Sequence, residues 1–295
     1  MDNEIELTEQ DDMVDAIPQW MIAIEMIVRN KAALIGLIII VLLVIIAIFG
    51  KFLMPYNPYH GKLTESLLPP SAHHLFGTDE QGRDVFSRVI DGAKISLRVG
   101  VFAVAIALSI GLIVGSVAGY YGGIVDILLM RFMDIMLAFP SLLLAIAFMA
   151  ALGRGIDKAI IAISIVTIPE YARIVRGSIL SVKENEYIQA AKAIGNRDRA
   201  IIFKHILPNV MSPIIVRATL GVSSAILDTS ALGFLGLGVQ PPYAEWGSML
   251  GAGREYFYNA PHIILFPGIA ITITVLAFNL FGDGLRDVLD PKLRR

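Results

Sequence analysis

Four stretches of this chain run without a charged side chain for about the length that crosses a lipid bilayer. They are Ala32 to Gly50, Val99 to Val125, Ile135 to Gly153 and Ile263 to Gly282. A transmembrane helix needs ~20 mostly apolar residues to traverse the hydrocarbon, so each stretch is read as a span. Ile156 to about Arg176 and Val210 to about Gly233 have similar length but are interrupted, the first by Glu170 and Arg173, the second by Arg217 and Asp228. The expected fold is therefore an all-α integral membrane protein with six transmembrane helices. Composition agrees, with 56% hydrophobic and 17% charged residues, outside the usual range for a soluble domain. A net charge of -2 argues against nucleic acid as a partner, and with no Cys the chain offers neither disulfides nor thiolate metal sites.

The first apolar stretch is longer than a signal-peptide core and no small-x-small cleavage pattern follows it, so it is read as a retained helix. Before it, residues 1–17 carry Asp2, Glu4, Glu6, Glu9, Asp11, Asp12 and Asp15 with no basic partner, and a disordered cytoplasmic tail is expected. Residues 18–53 add an amphipathic stretch, with Trp20 at headgroup depth, and the first span. Residues 54–94 form a polar extracytoplasmic segment, 95–285 the core with the other five spans and a cytoplasmic loop over 177–209, and 286–295 a cytoplasmic tail. Lys and Arg are more frequent in the segments this topology places inside.

Two motifs in the extracytoplasmic segment invite chemistry. Gly77 to Asp84, GTDEQGRD, has the spacing of a phosphate-cradling loop, but Arg83 replaces the lysine and Asp84 the hydroxyl residue that would hold magnesium. His73-His74 suggests a metal, yet adjacent histidines on an extended chain cannot easily aim at one ion, and an exposed linker is expected there. No nucleophile with a base is spaced for catalysis, and no catalytic, cofactor-binding or metal residue is assigned.

The most unusual segment for such a chain is Glu186 to Asn209, EYIQAAKAIGNRDRAIIFKHILPN. Tyr187, Ala190, Ala191 and Ile194 fall at i, i+3, i+4 and i+7 and share one helical face, with Glu186, Gln189 and Lys192 on the other. Gly195 is a helix stop and Asn196 a cap for a second helix, from about Arg197 to Ile206, which Pro208 ends. The predicted unit is a helix-turn-helix elbow whose small face lets another surface come close. Nearby, Glu170 and Arg173 at i, i+3 are expected to pair.

QAAKAIG followed by Ile206-Leu207-Pro208 resembles the cytoplasmic signature of the membrane subunits of bacterial-type ABC importers, with Gln189 where the signature has Glu. His74 to Gly100, Asp134 to Ile146 (DIMLAFPSLLLAI), Tyr171 to Gly177 (YARIVRG), Phe234 to Leu250 and Gly282 to Arg294 are similar, in the same order, to the second permease of the dipeptide, oligopeptide and nickel importers. This resemblance implies a type I ABC importer permease fold in the inner or plasma membrane, both termini cytoplasmic. It implies a heterodimer with a homologous permease, two ATP-binding subunits that carry ATP and magnesium, and an extracytoplasmic solute-binding protein. Di- or oligopeptides are the first expectation for the solute, nickel or another small solute the alternative, and a secondary transporter or channel the alternative of another class. Glu186, Tyr187, Gln189, Ala190, Ala191, Ile194, Gly195, Asn196 and Arg197 would couple to the ATPase. Ser230 to Gly238, followed by Pro241-Pro242, is expected to break the fifth span near the outer surface, making Asp228, Phe234 and Leu235 candidates for pathway and gate.

Overall fold

The computed structural model describes residues 27–289; the acidic tail, Trp20 and residues 290–295 lie outside the described residues. Within the described part the elements are helical, apart from an isolated antiparallel bridge between Thr78 and Asp84. Helix α1 spans Lys31–Leu53, where Asn30 caps the start by accepting from the backbone N–H groups of Ala32 and Ala33. Helix α2 spans Val85–Tyr121 and is capped by Asp84, which accepts from Ser87 N at 2.8 Å. It therefore begins well before the boundary expected at 95. Charged residues did not delay it because its first turns pack on the extracytoplasmic segment, where Arg88 donates to the carbonyl of Pro58 at 2.8 Å.

The apolar stretch after α2 is cut differently from expectation. Gly122 and Gly123 have φ values of 68° and 55°, a region open to glycine, so α2 stops there and a separate helix α3, Gly123–Leu137, follows. The expected span Ile135 to Gly153 is likewise not one helix: α3 meets α4, Ser141–Leu152, at 92°. Pro140, extended and lacking an N–H, forbids a straight continuation. Helix α5 spans Ile156–Val182, α6 Glu186–Ala193 and the short α7 Asp198–Ala200.

Pro208 does not end the second elbow helix. From Asp198 the chain runs as one 37-residue helix to Phe234, through a widened π turn over Ile201–Ile206 into α8, Leu207–Phe234. The widened turn breaks the regular hydrogen-bond ladder just ahead of the proline, which sits in the first positions of α8 where a missing N–H does little harm. Helix α9, Trp246–Gly253, is short, and α10, His262–Leu289, is long.

Helices α1, α2, the 198–234 rod and α10 are long and apolar enough to cross a membrane, and the bent α3–α4 pair provides a fifth such element. The sixth expected span, α5, has 27 residues, about 40 Å at 1.5 Å per residue, but carries Asp157, Lys158, Glu170, Arg173 and Arg176. It is packed on α2 through Gly111, Gly115 and Gly119, where an added Cβ would lie 2.5 Å from Tyr171 Cβ, 2.5 Å from the Ala172 carbonyl oxygen and 3.1 Å from Ile179 Cβ respectively. Small residues at four-residue spacing permit this backbone approach between membrane helices.

The extracytoplasmic segment is a folded cap. Asp79 accepts from the backbone N–H groups of Gln81 and Arg83 at 2.9 Å and from Arg83 Nε at 2.6 Å, so GTDEQGRD closes on itself with Asp79, Arg83 and Asp84 buried. His74 is not an exposed linker: it is buried, 2.9 Å from Asp84 Oδ1, because Asp84 both caps α2 and accepts from the imidazole. His73 is exposed.

Candidate functional site

The α6 elbow hangs between α5 and the 198–234 rod. Its helix ends in a Schellman motif: Gly195, at φ 80°, donates to the Lys192 carbonyl at 3.0 Å and Asn196 to that of Ala191 at 3.2 Å. Gly195 is the stop predicted from sequence. Asn196 is not the next cap; it closes the motif, and the extended Arg197 takes the N-cap position with no side-chain bond.

The buried stripe of α6 is Ile188, at 0% exposure, and Ala191, at 5%. Both enter an apolar cluster with Val175 and Ile179 of α5, Ile201 and Ile206 of the π turn, and Val210 and Ile214 of α8. Ala191 therefore faces the chain's own core and cannot form an outward contact face. Ile188 and Ala191, three apart, form an inner stripe; the expected face of Tyr187, Ala190, Ala191 and Ile194 included the second of these and left out the first. Outward lie Glu186, Tyr187, Gln189, Ala190, Gly195, Asn196, Arg197 and Ile194, the last 80% exposed.

Polar contacts fix the elbow from the sides. Tyr120, at the end of α2, donates its hydroxyl to Asp198 at 2.8 Å and carries Lys192 over its ring at 5.5 Å. Lys183 Nζ donates to the carbonyl of Gly119 at 3.3 Å. Tyr120 and Asp198 were not singled out in the sequence, since nothing local connects residues 78 positions apart.

Above the elbow, α5 carries a ladder of charges. Glu170 and Arg173 do not pair along the helix. Glu170 accepts from Arg217 of α8, Arg173 donates to Asp134 at 2.6 Å, and Arg176 grips Asp126 through two bonds of 2.5 and 2.6 Å. In apolar surroundings an ion is stabilised by a fixed counter-ion with good geometry, and the acids of α3 and Arg217 of α8 provide one across the gap. The bidentate Arg176–Asp126 pair is the strongest form of such a bond.

The elbow and the candidate gate are not brought together. Phe234 and Leu235, 42% and 50% exposed, sit at the far end of the 198–234 rod, about 55 Å along a helix of 37 residues. Helix α8 ends there as expected, with Gly236 at φ 75°. Asp228 is partly buried, with no hydrogen bond or ion pair to a described residue. Behind the gate, Glu245 is fully buried and caps α9, accepting from the N–H groups of Gly247 and Ser248 at 2.7 and 2.8 Å. Burial pushes its carboxyl up to about 7 against the opposing pull of those donors. Among the described residues no group of three or more His, Asp or Glu is arranged to hold a metal.

Residues 111–295 match the family model of binding-protein-dependent transport system inner membrane components, and residues 18–70 match the N-terminal transmembrane domain of oligopeptide transport permease C. The chain is 50% identical to the dipeptide transport system permease protein DppC of Alkalihalophilus pseudofirmus, covering 96% of this chain and 93% of that protein. It is 47% identical to the di/tripeptide transport system permease protein DppC of Pseudomonas aeruginosa, with 90% of each covered. With the glutathione transport system permease protein GsiD of Escherichia coli it shares 48% identity over 90% of this chain and 88% of that one. Among solved structures, an inward-facing MetNI methionine ABC transporter chain aligns at TM-score 0.53 and 19% identity, covering 70% of this chain and 96% of its own. A chain of an amino acid ABC transporter with histidines aligns at TM-score 0.55 and 14% identity, covering 68% and 94%. Both likenesses concern the fold.

Proposed function

The chain belongs to the binding-protein-dependent transport system inner membrane components, and we propose on that premise that it forms, with a second homologous permease, the pathway of an importer for di- or oligopeptides. The relatives named for dipeptide, di/tripeptide and glutathione transport support this solute class, since all three names denote short peptides. Two ATP-binding subunits would hold ATP and magnesium and dock on α6, and a solute-binding protein would deliver the peptide from the other side. This chain transmits force and performs no bond chemistry.

The observation that carries this reading is the mounting of α6. Its inner stripe is buried with residues of both α5 and α8, while Tyr187, Ala190 and Ile194 are left open. A push on the open face is delivered to the inner ends of α5 and α8 together, and the Arg173–Asp134 and Arg176–Asp126 pairs carry α3 with them. Rigid-body rocking of such a unit exchanges inward and outward access.

Orientation follows the same geometry. Asn30, ahead of α1, reaches Asp287 near the end of α10 at 3.4 Å, and the last turns of α10 lie beside the first of α8, sharing a groove with Asn209 and Arg217. Both ends of the described residues thus lie on the α6 side, which we assign to the cytoplasm of a cell with this chain in its inner or plasma membrane.

The test uses the intact importer. Ala190→Glu places a charge on the open face and is expected to leave the complex folded and hydrolysing ATP while uptake is lost. Ile194→Cys, in a chain with no native cysteine, is expected to cross-link to an ATP-binding subunit. Unimpaired peptide uptake by Ala190→Glu, together with no ATP-binding subunit captured from position 194, would overturn the assignment.

A further inference from the structure

At the end of the molecule opposite α6, a groove of about 500 Å³ opens between the last turns of α1 and the first of α2. Its wall on one side is apolar, made by Ile46, Ala47 and Ile48 of α1. Its mouth is charged, with Lys51 on α1 and Lys94 and Asp91 on α2. Both lysines are exposed and make no hydrogen bond or ion pair with a described residue. The acid is not ion-paired with either: Asp91 accepts the hydroxyl of Tyr59 at 2.7 Å, and burial together with that carboxylate holds the Tyr59 hydroxyl above its ordinary value. The mouth therefore sets two ammonium groups against one carboxylate, a net positive charge above an apolar trough.

The depth of the groove decides what fills it. Helix α1 has 23 residues, about 35 Å of helix, close to the ~30 Å hydrocarbon thickness. Lys51 near its end lies at headgroup level, and Ile46 to Ile48 lie one turn deeper, in the acyl region. Helix α1 is peripheral, burying only Ala33, Gly36, Leu43 and Gly50, so this trough faces lipid. A soluble protein reaches the lysines but not the trough; a phospholipid fills both.

We propose that this groove is a binding site for an anionic phospholipid, its phosphodiester held between Lys51 and Lys94 and one acyl chain laid on Ile46 to Ile48. The site depends only on α1 crossing the membrane, and its test is independent of coupling at α6.

The assay is native mass spectrometry of the intact importer in detergent, titrated with dioleoyl-phosphatidylglycerol or with dioleoyl-phosphatidylcholine. The wild type is expected to retain phosphatidylglycerol preferentially. A surface lysine contributes about fivefold to anionic-lipid binding, so Lys51→Gln with Lys94→Gln should weaken phosphatidylglycerol retention by about thirtyfold and leave phosphatidylcholine unaffected. Ala47→Trp, which fills the trough without touching charge, should reduce retention of both. Lys62→Gln, removing a lysine already paired with Glu65, should change nothing. Equal retention of the two lipids by the wild type, or undiminished phosphatidylglycerol retention in the double variant, overturns the proposal. It is also overturned if inorganic phosphate competes as well as the lipid, which marks a site for a free anion. A double variant that keeps the lipid but loses the solute-binding protein overturns it in favour of a protein contact.

Discussion

Gly115→Ala tests whether the α2–α5 contact holds the helices at backbone distance. An alanine Cβ there would meet the Ala172 carbonyl oxygen at 2.5 Å, Val175 Cβ at 2.7 Å and Arg176 N at 3.0 Å. None of these atoms can rotate away, because all belong to backbone or to a first side-chain carbon. Restoring ordinary contact requires the helices to part by about 1 Å, and overpacking of this kind costs about 1–3 kcal/mol. Alanine returns about 0.5–1 kcal/mol through its better helix propensity, leaving a net loss of about 1–2 kcal/mol. Gly177 is an internal control in the interior of α5, where an added Cβ meets nothing within 4 Å. Gly177→Ala keeps the propensity gain and should stabilise by about 0.5–1 kcal/mol. The two variants should thus differ by about 1.5–3 kcal/mol, in opposite directions from the parent. The measurement is the midpoint of thermal inactivation of the purified importer, followed by loss of the monodisperse complex. Equal midpoints for the two alanine variants would refute the close-packing argument.

Two further outcomes follow from charges. Removing Arg176 or Asp126 alone strands a half-buried ion, whereas removing both does not, so a double-mutant cycle on thermal stability should give a coupling of about 0.5–3 kcal/mol; additive single effects would show that α3 is not tied to α5 by this pair. Glu245 titrates at about 7 in the fold, above its ordinary value near 4.3. Its neutral form is the one the fold favours, so its contribution is fully present below about pH 4.3 and is lost as pH rises towards 7, with no further change above. Stability measured between pH 5 and 8 should fall with rising pH by about 1–3 kcal/mol, and Glu245→Gln should flatten that slope even though its own stability is lower.

The sequence was least informative where distant segments meet. Nothing near Asp126, Asp134 or Tyr120 in the chain named their partners, yet they hold α3 and α2 to the elbow and its helices. Glu170 and Arg173 look like a pair on a helical wheel, but each has a stronger partner on another helix. Ala191 looked like part of an open face because its small side chain fits either a docking surface or a crowded core, and helical periodicity cannot choose between them. Only the presence of Val175, Ile179 and Val210 across from it decides.

What the sequence determined alone was the solvent: runs of apolar residues long enough to cross hydrocarbon, with the glycine at 195 marking where a helix stops. These are local properties, because hydropathy sums along a segment and φ is set residue by residue. The tertiary structure decided that Pro208 is carried through a π turn, that α3 and α4 meet at 92°, that the histidine at 74 is buried, and which side of α6 looks outward. Those outcomes depend on which surface stands opposite each residue, and opposition in space is not written in neighbouring positions of the chain.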